Sequence, residues 1–335
     1  MATTRLTPCE LETVKLNLFS GADLQPLLEE QQAYWSKYLH WSFNSTKQLV
    51  IHNLNMRNLN GVVLTKAGRP IGYSFFIQEG CKALIGDLFL SAAYRDKSTE
   101  RFLLKTILHW AAEHPGVQRI EGQLLTLSLS LQNESIHGRP LQIFRRLFMM
   151  TNGLDYPLKP CPTRSYLQFT PWADHYLDAA AHLIAHTYRN HVDSLINDQY
   201  HSYDGARRFL YNTSHHSGCG TFHQPAALVA IYTPSREICG VCLASVVESQ
   251  VGHVTQLCVA PHVAGQGLGY ELLRRSLNAF RESGCEAVGL TVTESNNRAT
   301  HLYESVGFRT IHRFQAFTWE AHEYLTAPDL HQKTN

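Results

Sequence analysis

The chain has 335 residues and a formal net charge of +1, from 29 basic and 28 acidic side chains. That length accommodates two domains of ordinary size, and the near-neutral charge provides no basic stripe of the kind that bulk nucleic-acid binding needs. No stretch approaches the roughly 20 apolar residues of a membrane helix, so neither a nucleic acid nor a membrane is expected as a partner.

The first ten residues, MATTRLTPCE, lack an apolar core and do not read as a secretory signal. The 8 cysteines are scattered. Cys239 and Cys242 form the one C-x-x-C pair, and no second pair stands at zinc spacing. All are expected to be reduced thiols in a cytoplasmic protein. Histidines concentrate between His175 and His223. His215, His216, Cys219 and His223 have the chemistry of metal ligands, but exposed loop histidines are the expectation and no metal is assigned.

In the first half, Glu12 to Phe19 reads as a strand, Asp23 to Tyr38 as a helix and Ser45 to Asn55 as a second, shorter helix. Val62 to Leu64 and Ile71 to Ile77 read as a strand pair around a Gly68-Arg69-Pro70 turn. Leu84 to Leu90 is another strand. Ser98 to His114 is an amphipathic helix carrying Phe102, Leu103, Thr106, Ile107 and Trp110 on one side. Gln118 to Leu127 returns as a strand.

Leu154 to Thr163 holds Pro157, Pro160 and Pro162, which fix φ and restrict their predecessors, so an extended linker is expected there. The chain divides accordingly into residues 1–160 and 164–335. Arg164 to Phe169 reads as a strand and Ala173 to Tyr188 as a helix with Leu177, Ala180, Ala181, Ile184 and Ala185 on its apolar face. Tyr188 to Tyr200 is polar and aromatic; one reading is a capped second helix with Asp193 or Ser194 as N-cap. Residues 213–224 read as a loop. Ala227 to Tyr232 and Ile238 to Val247 form the next strand pair.

Val254 to Phe308 organises the rest. An apolar run to Val259 is closed by Pro261. Gly265, Gly267 and Gly269 then open a helix with Leu268, Leu272, Leu273, Leu277 and Phe280 at helical spacing, ended by Gly284. A strand, Ala287 to Val292, and a helix, Asn297 to Val306, follow. Glycines let a ligand approach the main chain, and the free N–H groups of a helix start attract phosphate. The dinucleotide fingerprint G-x-G-x-x-G fails at Leu272 or Tyr270, and no lysine between Val251 and Asn296 supplies a P-loop.

What remains, Ala264-Gly265-Gln266-Gly267-Leu268-Gly269, resembles the Gln/Arg-x-x-Gly-x-Gly/Ala loop of the GNAT superfamily of acyl-CoA N-acyltransferases. Asn296-Asn297-Arg298-Ala299-Thr300-His301-Leu302-Tyr303 with Gly307-Phe308 is similar to that superfamily's second signature, in the right order and at the right distance. The resemblance covers roughly residues 226–320. It departs at Ala264, where Arg or Gln is usual, so phosphate contact would rest more on the main chain, helped by His262, Arg274, Arg275 or Arg298.

The resemblance implies an α/β (α+β) fold of two tandem GNAT-like domains, each a mixed, mostly antiparallel sheet flanked by helices, the second one catalytic. It implies acetyl-CoA (coenzyme A) as acyl donor, held by Leu257, Cys258 and Val259 of a strand splayed from its neighbour, by Ala264, Gly265, Gln266, Gly267, Leu268, Gly269 and Tyr270 of the loop, and by Asn296, Arg298 and Ala299. Tyr303 matches the family's thiolate-protonating tyrosine. His253, eleven residues before Ala264, matches the position of a base in some members; an exposed strand-end histidine is the competing reading, and Glu248, Gln256 or a water chain are fallbacks. By the same resemblance His191, Asp193, Asn197 and Tyr200 border the acceptor site. Acceptors would be an amine-bearing small molecule or a protein N-terminus, attacking directly in a ternary complex; Cys258 lacks the ion-pair partner a covalent route needs. A non-catalytic acyl-CoA-binding sensor or interaction module is the alternative.

The order of elements repeats when the chain is slid by 169 residues: Leu103-Leu104 falls on Leu272-Leu273, Leu90 on Val259 and Arg95 on Ala264. Gly265, Gly267 and Gly269 then become Asp96, Ser98 and Glu100, whose carboxylates suit a helix start but repel pyrophosphate. The partner of Tyr303 is also missing, since the segment Ile143 to Leu154 offers Phe148 and Met149. The first half is expected to be GNAT-like without coenzyme binding, and the duplication to give a monomer with an internal pseudo-dimer.

Overall fold

The computed structural model describes residues 11–152, 154, 157–160, 166–216 and 219–321. In chain order, β1 (Leu11–Lys15), α1 (Gly21–Leu39), α2 (Asn44–Asn55), β2 (Asn60–Lys66), β3 (Arg69–Glu79), β4 (Lys82–Leu90), α3 (Lys97–Ala112) and β5 (Arg119–Leu124) lead to a short pair, β6 (Ser135–Ile136) and β7 (Arg139–Pro140), and to β8 (Gln142–Thr151). Then follow β9 (Leu167–Pro171), α4 (Leu177–Thr187), α5 (Val192–Ile196), α6 (Tyr203–His215), β10 (Thr221–Phe222), β11 (Leu228–Tyr232), β12 (Glu237–Glu248), β13 (Val251–Val259), α7 (Leu268–Glu282), β14 (Ala287–Thr293), α8 (Asn297–Ser305) and β15 (Arg309–Glu320). Among the described residues, no helix is long and apolar enough to cross a membrane.

Two compact units form, and they are not contiguous in sequence. Of the described residues, the first takes Leu11–Leu27, Asn53–Ile143 and Gln315–Ala321, and the second takes Leu28–His52 and those within Phe144–Phe314. This corrects the division into 1–160 and 164–335. The reason is strand pairing. In the first unit β1, β2, β3, β4 and β5 are neighbours in that order, and β5 pairs antiparallel with Gln315–Glu320 of β15. In the second unit β9, β11, β12, β13 and β14 are neighbours, and β14 pairs antiparallel with Arg146–Thr151 of β8. Each sheet is extended by a strand from the other half of the sequence. Phe148 and Met149, weighed against Tyr303 in the sequence, lie on the strand β8 and not on a helix. β15 and α6 had no counterpart in the sequence reading; α6 runs through 213–215, part of the expected loop.

The internal repeat is visible in backbone detail. A parallel ladder joins β4 to β5 from Lys82/Arg119 to Ile85/Gly122, and another joins β13 to β14 from Val251/Ala287 to Val254/Leu290. The first strands start 169 residues apart, the offset found by sliding the sequence. Each has a bulge at the equivalent place: Gly86 is skipped between Ile85 and Asp87, and Thr255 between Val254 and Gln256. A bulge re-aims the side chains after it, so Gln256 and Cys258 reach α4.

Each unit has its own core. α3 buries Leu103, Leu104, Ile107, Leu108 and Ala111 in the first. α7 buries Leu268, Leu272, Leu273, Leu277 and Phe280 in the second. Gly252 on β13 admits the Phe280 ring, since a Cβ there would lie 2.6 Å from two ring carbons.

The loops before the two helices end differently. Asp96 caps α3: its carboxylate accepts from the amides of Ser98 at 2.9 Å and Thr99 at 3.1 Å and from both hydroxyls. These bonds hold the Asp96 carboxyl below its usual range against the opposing effect of burial. Glu100, one turn in, is buried and accepts from Ser128. Two of the amides at the start of α3 are thus taken by the carboxylate of Asp96.

In the second unit the joint between α1 and α2 packs on the central strand. Trp41 and Phe148, with rings 6.2 Å apart, lie 4.6 Å and 6.3 Å from the His253 ring, and Ser42 N donates to Val247 O at 3.0 Å. His253 is 5% exposed. Burial pushes its imidazolium down to about 3. The exposed strand-end reading is corrected: the sequence showed the strand but not what covers it.

Two outcomes follow. Asp96→Ala should lower the stability of the first unit by about 1 kcal/mol in urea denaturation, the usual worth of an N-cap. Because His253 is neutral when folded and titrates near 6.5 when unfolded, the unfolded chain binds more protons between those values and stability falls as pH falls. Between pH 7 and 5 this loss should be about 2 kcal/mol and should be absent in His253→Leu, measured by denaturant midpoints at both pH values.

Candidate active site

The glycine loop joins β13 to α7. Gly265 and Gly267 stand at φ 86° and 82°, a region that favours glycine. Gly267 is the N-cap of α7, and no side chain caps this helix. The first amide of α7 paired within the chain through its start is that of Glu271, to Gly267 O at 3.0 Å. A Cβ at Gly265 would have one heavy-atom neighbour within 4 Å, the Arg298 Nη2 at 3.8 Å. The guanidinium of the first turn of α8 thus stands beside the open loop. The contrast with the Asp96-capped loop lies in chemistry: the same turn, with the main-chain donors exposed rather than filled.

The other cations named from sequence are differently engaged. Arg274 and Arg275 both bond the buried Glu271 at 2.7 Å, and Arg275 stacks over Phe169 at 4.2 Å. Tyr270 donates to Lys159 O at 2.8 Å, which ties the proline-rich segment to α7. Gln266 Nε2 reaches back to His262 O at 3.3 Å. Leu268 is core, and Ala264 N closes a turn on Pro261 O at 3.2 Å. Gly269 is closer packed than Gly265: an added Cβ would lie 3.5 Å from Leu302 of α8 and 3.7 Å from Val259 of β13.

Beyond Val254 and Leu290 the parallel ladder stops, although β13 runs on to Val259 and β14 to Thr293. Leu257, Cys258 and Val259 still pair with β12 on the other side. Their other edge faces the gap. Cys258 is 2% exposed and burial pushes its thiol up to about 12; at neutral pH it is a thiol, so it supplies no nucleophile.

Tyr303 is 8% exposed on α8. Burial, then the nearby Cys242 and Asp193, raise its hydroxyl well above the ordinary phenol range, with Arg146 opposing. It stays protonated at neutral pH, as an acid must. Asn296 caps α8 by accepting from Ala299 N at 3.2 Å.

The acceptor-side residues named from sequence come together, and around partners the sequence did not reveal. Asp193 Oδ1 accepts from Arg146 Nη1 at 3.1 Å and from the Thr293 hydroxyl. Arg146 also donates to Thr293 Oγ1 at 3.0 Å and to Thr291 Oγ1 at 3.2 Å. Both groups are largely buried, and a buried pair persists only when its hydrogen bonds are made. His191, not Asp193 or Ser194, is the N-cap of α5. Its Nε2 lies 3.3 Å from Asn296 Nδ2. Tyr200 donates to Gln256 Oε1 at 3.3 Å, and Gln256 Nε2 donates to the Tyr188 hydroxyl at 2.8 Å. Asn197 closes α5 through its amide on Asp193 O at 2.9 Å. Arg146 and Tyr188 were missed as site residues. Arg146 lies on β8, in sequence before the proline-rich joint, and no local spacing links it to Asp193.

His253 does not join this group. A nitrogen so weakly basic, buried against Trp41 and Phe148, is a poor proton acceptor. Among the histidines first read as metal ligands, His215 pairs with Asp174 at 3.3 Å and His223 contacts Ser283 Oγ at 2.9 Å.

Comparison with known proteins bears on this geometry. Residues 190–308 match the Acetyltransferase (GNAT) family. The N-alpha-acetyltransferase MAK3 of Arabidopsis thaliana is 36% identical over 78 residues, 23% of this chain and 38% of that protein. A mycothiol acetyltransferase of Propionibacterium freudenreichii is 40% identical over 60 residues, 18% of this chain and 19% of that one. The chain thus spans well under half the length of these curated relatives. A GCN5-related N-acetyltransferase structure from Sphaerobacter thermophilus aligns with a TM-score of 0.66 at 15% identity, covering 95% of this chain and 98% of that one. A tandem GNAT protein from the clavulanic acid biosynthesis pathway aligns at 0.58 and 15% identity, over 94% and 100%. At such identity these structures speak for the fold. The sequence match lies over the glycine loop, the parted strands and the Tyr303 helix, so residues 190–308 are similar to the GNAT family of acetyltransferases, on a fold that GNAT structures share over most of the chain.

Proposed function

We propose that this chain is an N-acetyltransferase that moves an acetyl group from acetyl-CoA to a primary amine by direct attack in a ternary complex. The observation that carries the proposal is the uncapped start of α7 at Gly267, beside Arg298 and next to the parted strands. The free amides and the guanidinium would hold the diphosphate. The free edge of β13 from Leu257 to Val259 would hold the pantetheine arm and, through a main-chain N–H, polarise the thioester carbonyl. Tyr303 would give its phenol proton to the departing sulfur. Asn296 and Ala299, at the start of α8, would border the arm. The buried Cys258 thiol favours direct transfer over a covalent acyl-enzyme.

The acceptor would lie by α4 and α5, near His191, Asp193, Asn197 and Tyr200. The relatives' names include an N-alpha-acetyltransferase and a mycothiol acetyltransferase, so a protein N-terminus and a small amine both fit this reading. Ala264 in place of Arg or Gln, with Arg274 and Arg275 tied to Glu271, favours the second reading, a coenzyme-binding module without turnover.

Thiol release from acetyl-CoA across an amine panel separates the two. Tyr303→Phe should lower kcat by roughly 100-fold or more while acetyl-CoA affinity, measured by titration calorimetry, stays within about twofold. Tight binding with no turnover on any amine would favour the module.

A further inference from the structure

The described groups of the acceptor region that could take a proton from an amine are already engaged. His253 is buried against Trp41 and Phe148, and that burial pushes its imidazolium down to about 3. His191 Nδ1 accepts from the Asp193 amide at 3.2 Å; a neutral imidazole has a single lone pair for such a bond, and this one uses it. Asp193 Oδ1 accepts from Arg146 Nη1 at 3.1 Å and from the Thr293 hydroxyl, and the guanidinium charge balances the carboxylate. Glu248 pairs with Val251, at the end of β13 away from the glycine loop.

The other polar groups gathered there are uncharged. Gln256 stands on β13 just past Val254, where the ladder to β14 ends. Its Oε1 accepts from the Tyr200 hydroxyl at 3.3 Å and its Nε2 donates to the Tyr188 hydroxyl at 2.8 Å; the two phenol rings pack at 4.8 Å. Burial raises both phenols above their ordinary range, so they stay neutral at neutral pH. The Cys258 thiol and the Tyr303 phenol are neutral for the same reason. An ammonium ion entering this group leaves its water without meeting an anion that is not already balanced, and burying a charge in that way is costly. A neutral amine avoids the cost and finds hydrogen-bond partners among phenols and amide.

Building on the N-acetyltransferase reading, we propose that the acceptor is a weakly basic primary amine taken up with its nitrogen neutral, one with a carbonyl on the neighbouring carbon, as in an α-amino amide, rather than a lysine-like alkylamine. The carbonyl withdraws electrons from the nitrogen. At pH 7 an α-amine, titrating at about 7.8, is neutral in roughly one molecule in seven, and an alkylamine, titrating at about 10.4, in roughly one in 2,500. Solvent takes the ammonium proton before binding. The neutral amine attacks the thioester carbon and the C–N bond forms. As the C–S bond breaks, Tyr303 gives its proton to sulfur. One amine proton then leaves nitrogen and, through water, restores the phenol. The balance is one neutral amine and one thioester to one amide and one thiol.

The test follows thiol release by the full chain at saturating acetyl-CoA, between pH 6 and 10, with glycinamide and with ethylamine as acceptor. kcat/KM for glycinamide should level off at about pH 8, the amine's own titration, while that for ethylamine is still rising at pH 10, and glycinamide should be favoured at pH 7 by about tenfold or more. Levelling of both amines at one shared pH would mean that a group of the protein takes the proton, and overturns the proposal; a preference for ethylamine at pH 7 overturns it too. Arg146→Met leaves the Asp193 carboxylate unbalanced and should narrow the preference for glycinamide by about tenfold; an unchanged preference counts against the proposal in the same way. Where that variant fails to bind acetyl-CoA, the pH profiles of the unsubstituted chain decide alone. Bound acetyl-CoA with no turnover of any amine overturns the acetyltransferase reading, and this inference with it.

Discussion

A helix start has four main-chain N–H groups that its own turns cannot satisfy. The two units of this chain meet that constraint in opposite ways. At α3 the carboxylate of Asp96 accepts from two of these amides and folds the side chain over the loop. At α7 the corresponding turn is glycine, and no side chain is supplied. The helix dipole then favours an external anion. Around that one uncapped turn the chain sets the Arg298 guanidinium beside Gly265 and Val259 of β13 beside Gly269.

Buried polar chemistry supports the second unit's site. Arg146 and Asp193 are mostly withdrawn from water, where removing one partner would leave the other charge uncompensated. Two threonine hydroxyls of β14 complete the network. The arginine comes from β8, ahead of the proline-rich joint. The unit that holds the candidate site therefore needs residues from both halves of the sequence.

What the sequence displayed was what local chemistry can display. Glycines at 265, 267 and 269 followed by apolar residues at helical spacing announce a loop and a helix. Asn296 and Tyr303 lie on one short segment, so their spacing is readable. The 169-residue offset survives in the bulges at Gly86 and Thr255. Long-range pairing leaves no such mark. Nothing in the spacing of β8 or β15 says which strand each will join. Nothing near His253 says that Trp41 will cover it, and the polar face of α6 concealed its apolar Ala206 and Leu210. Asp193 was legible as polar and close to the acceptor region, whereas its partner Arg146 was 47 residues away.

Of the two turns at equivalent places, the one before α3 is filled by its own carboxylate, and the one before α7 is proposed to be open to a diphosphate. Calorimetric titration of the intact chain with acetyl-CoA measures this as a stoichiometry. One equivalent bound per chain is the predicted result. Two equivalents would mean that Asp96 does not close the first turn, and none would mean that the glycine turn before α7 is not the socket its geometry describes.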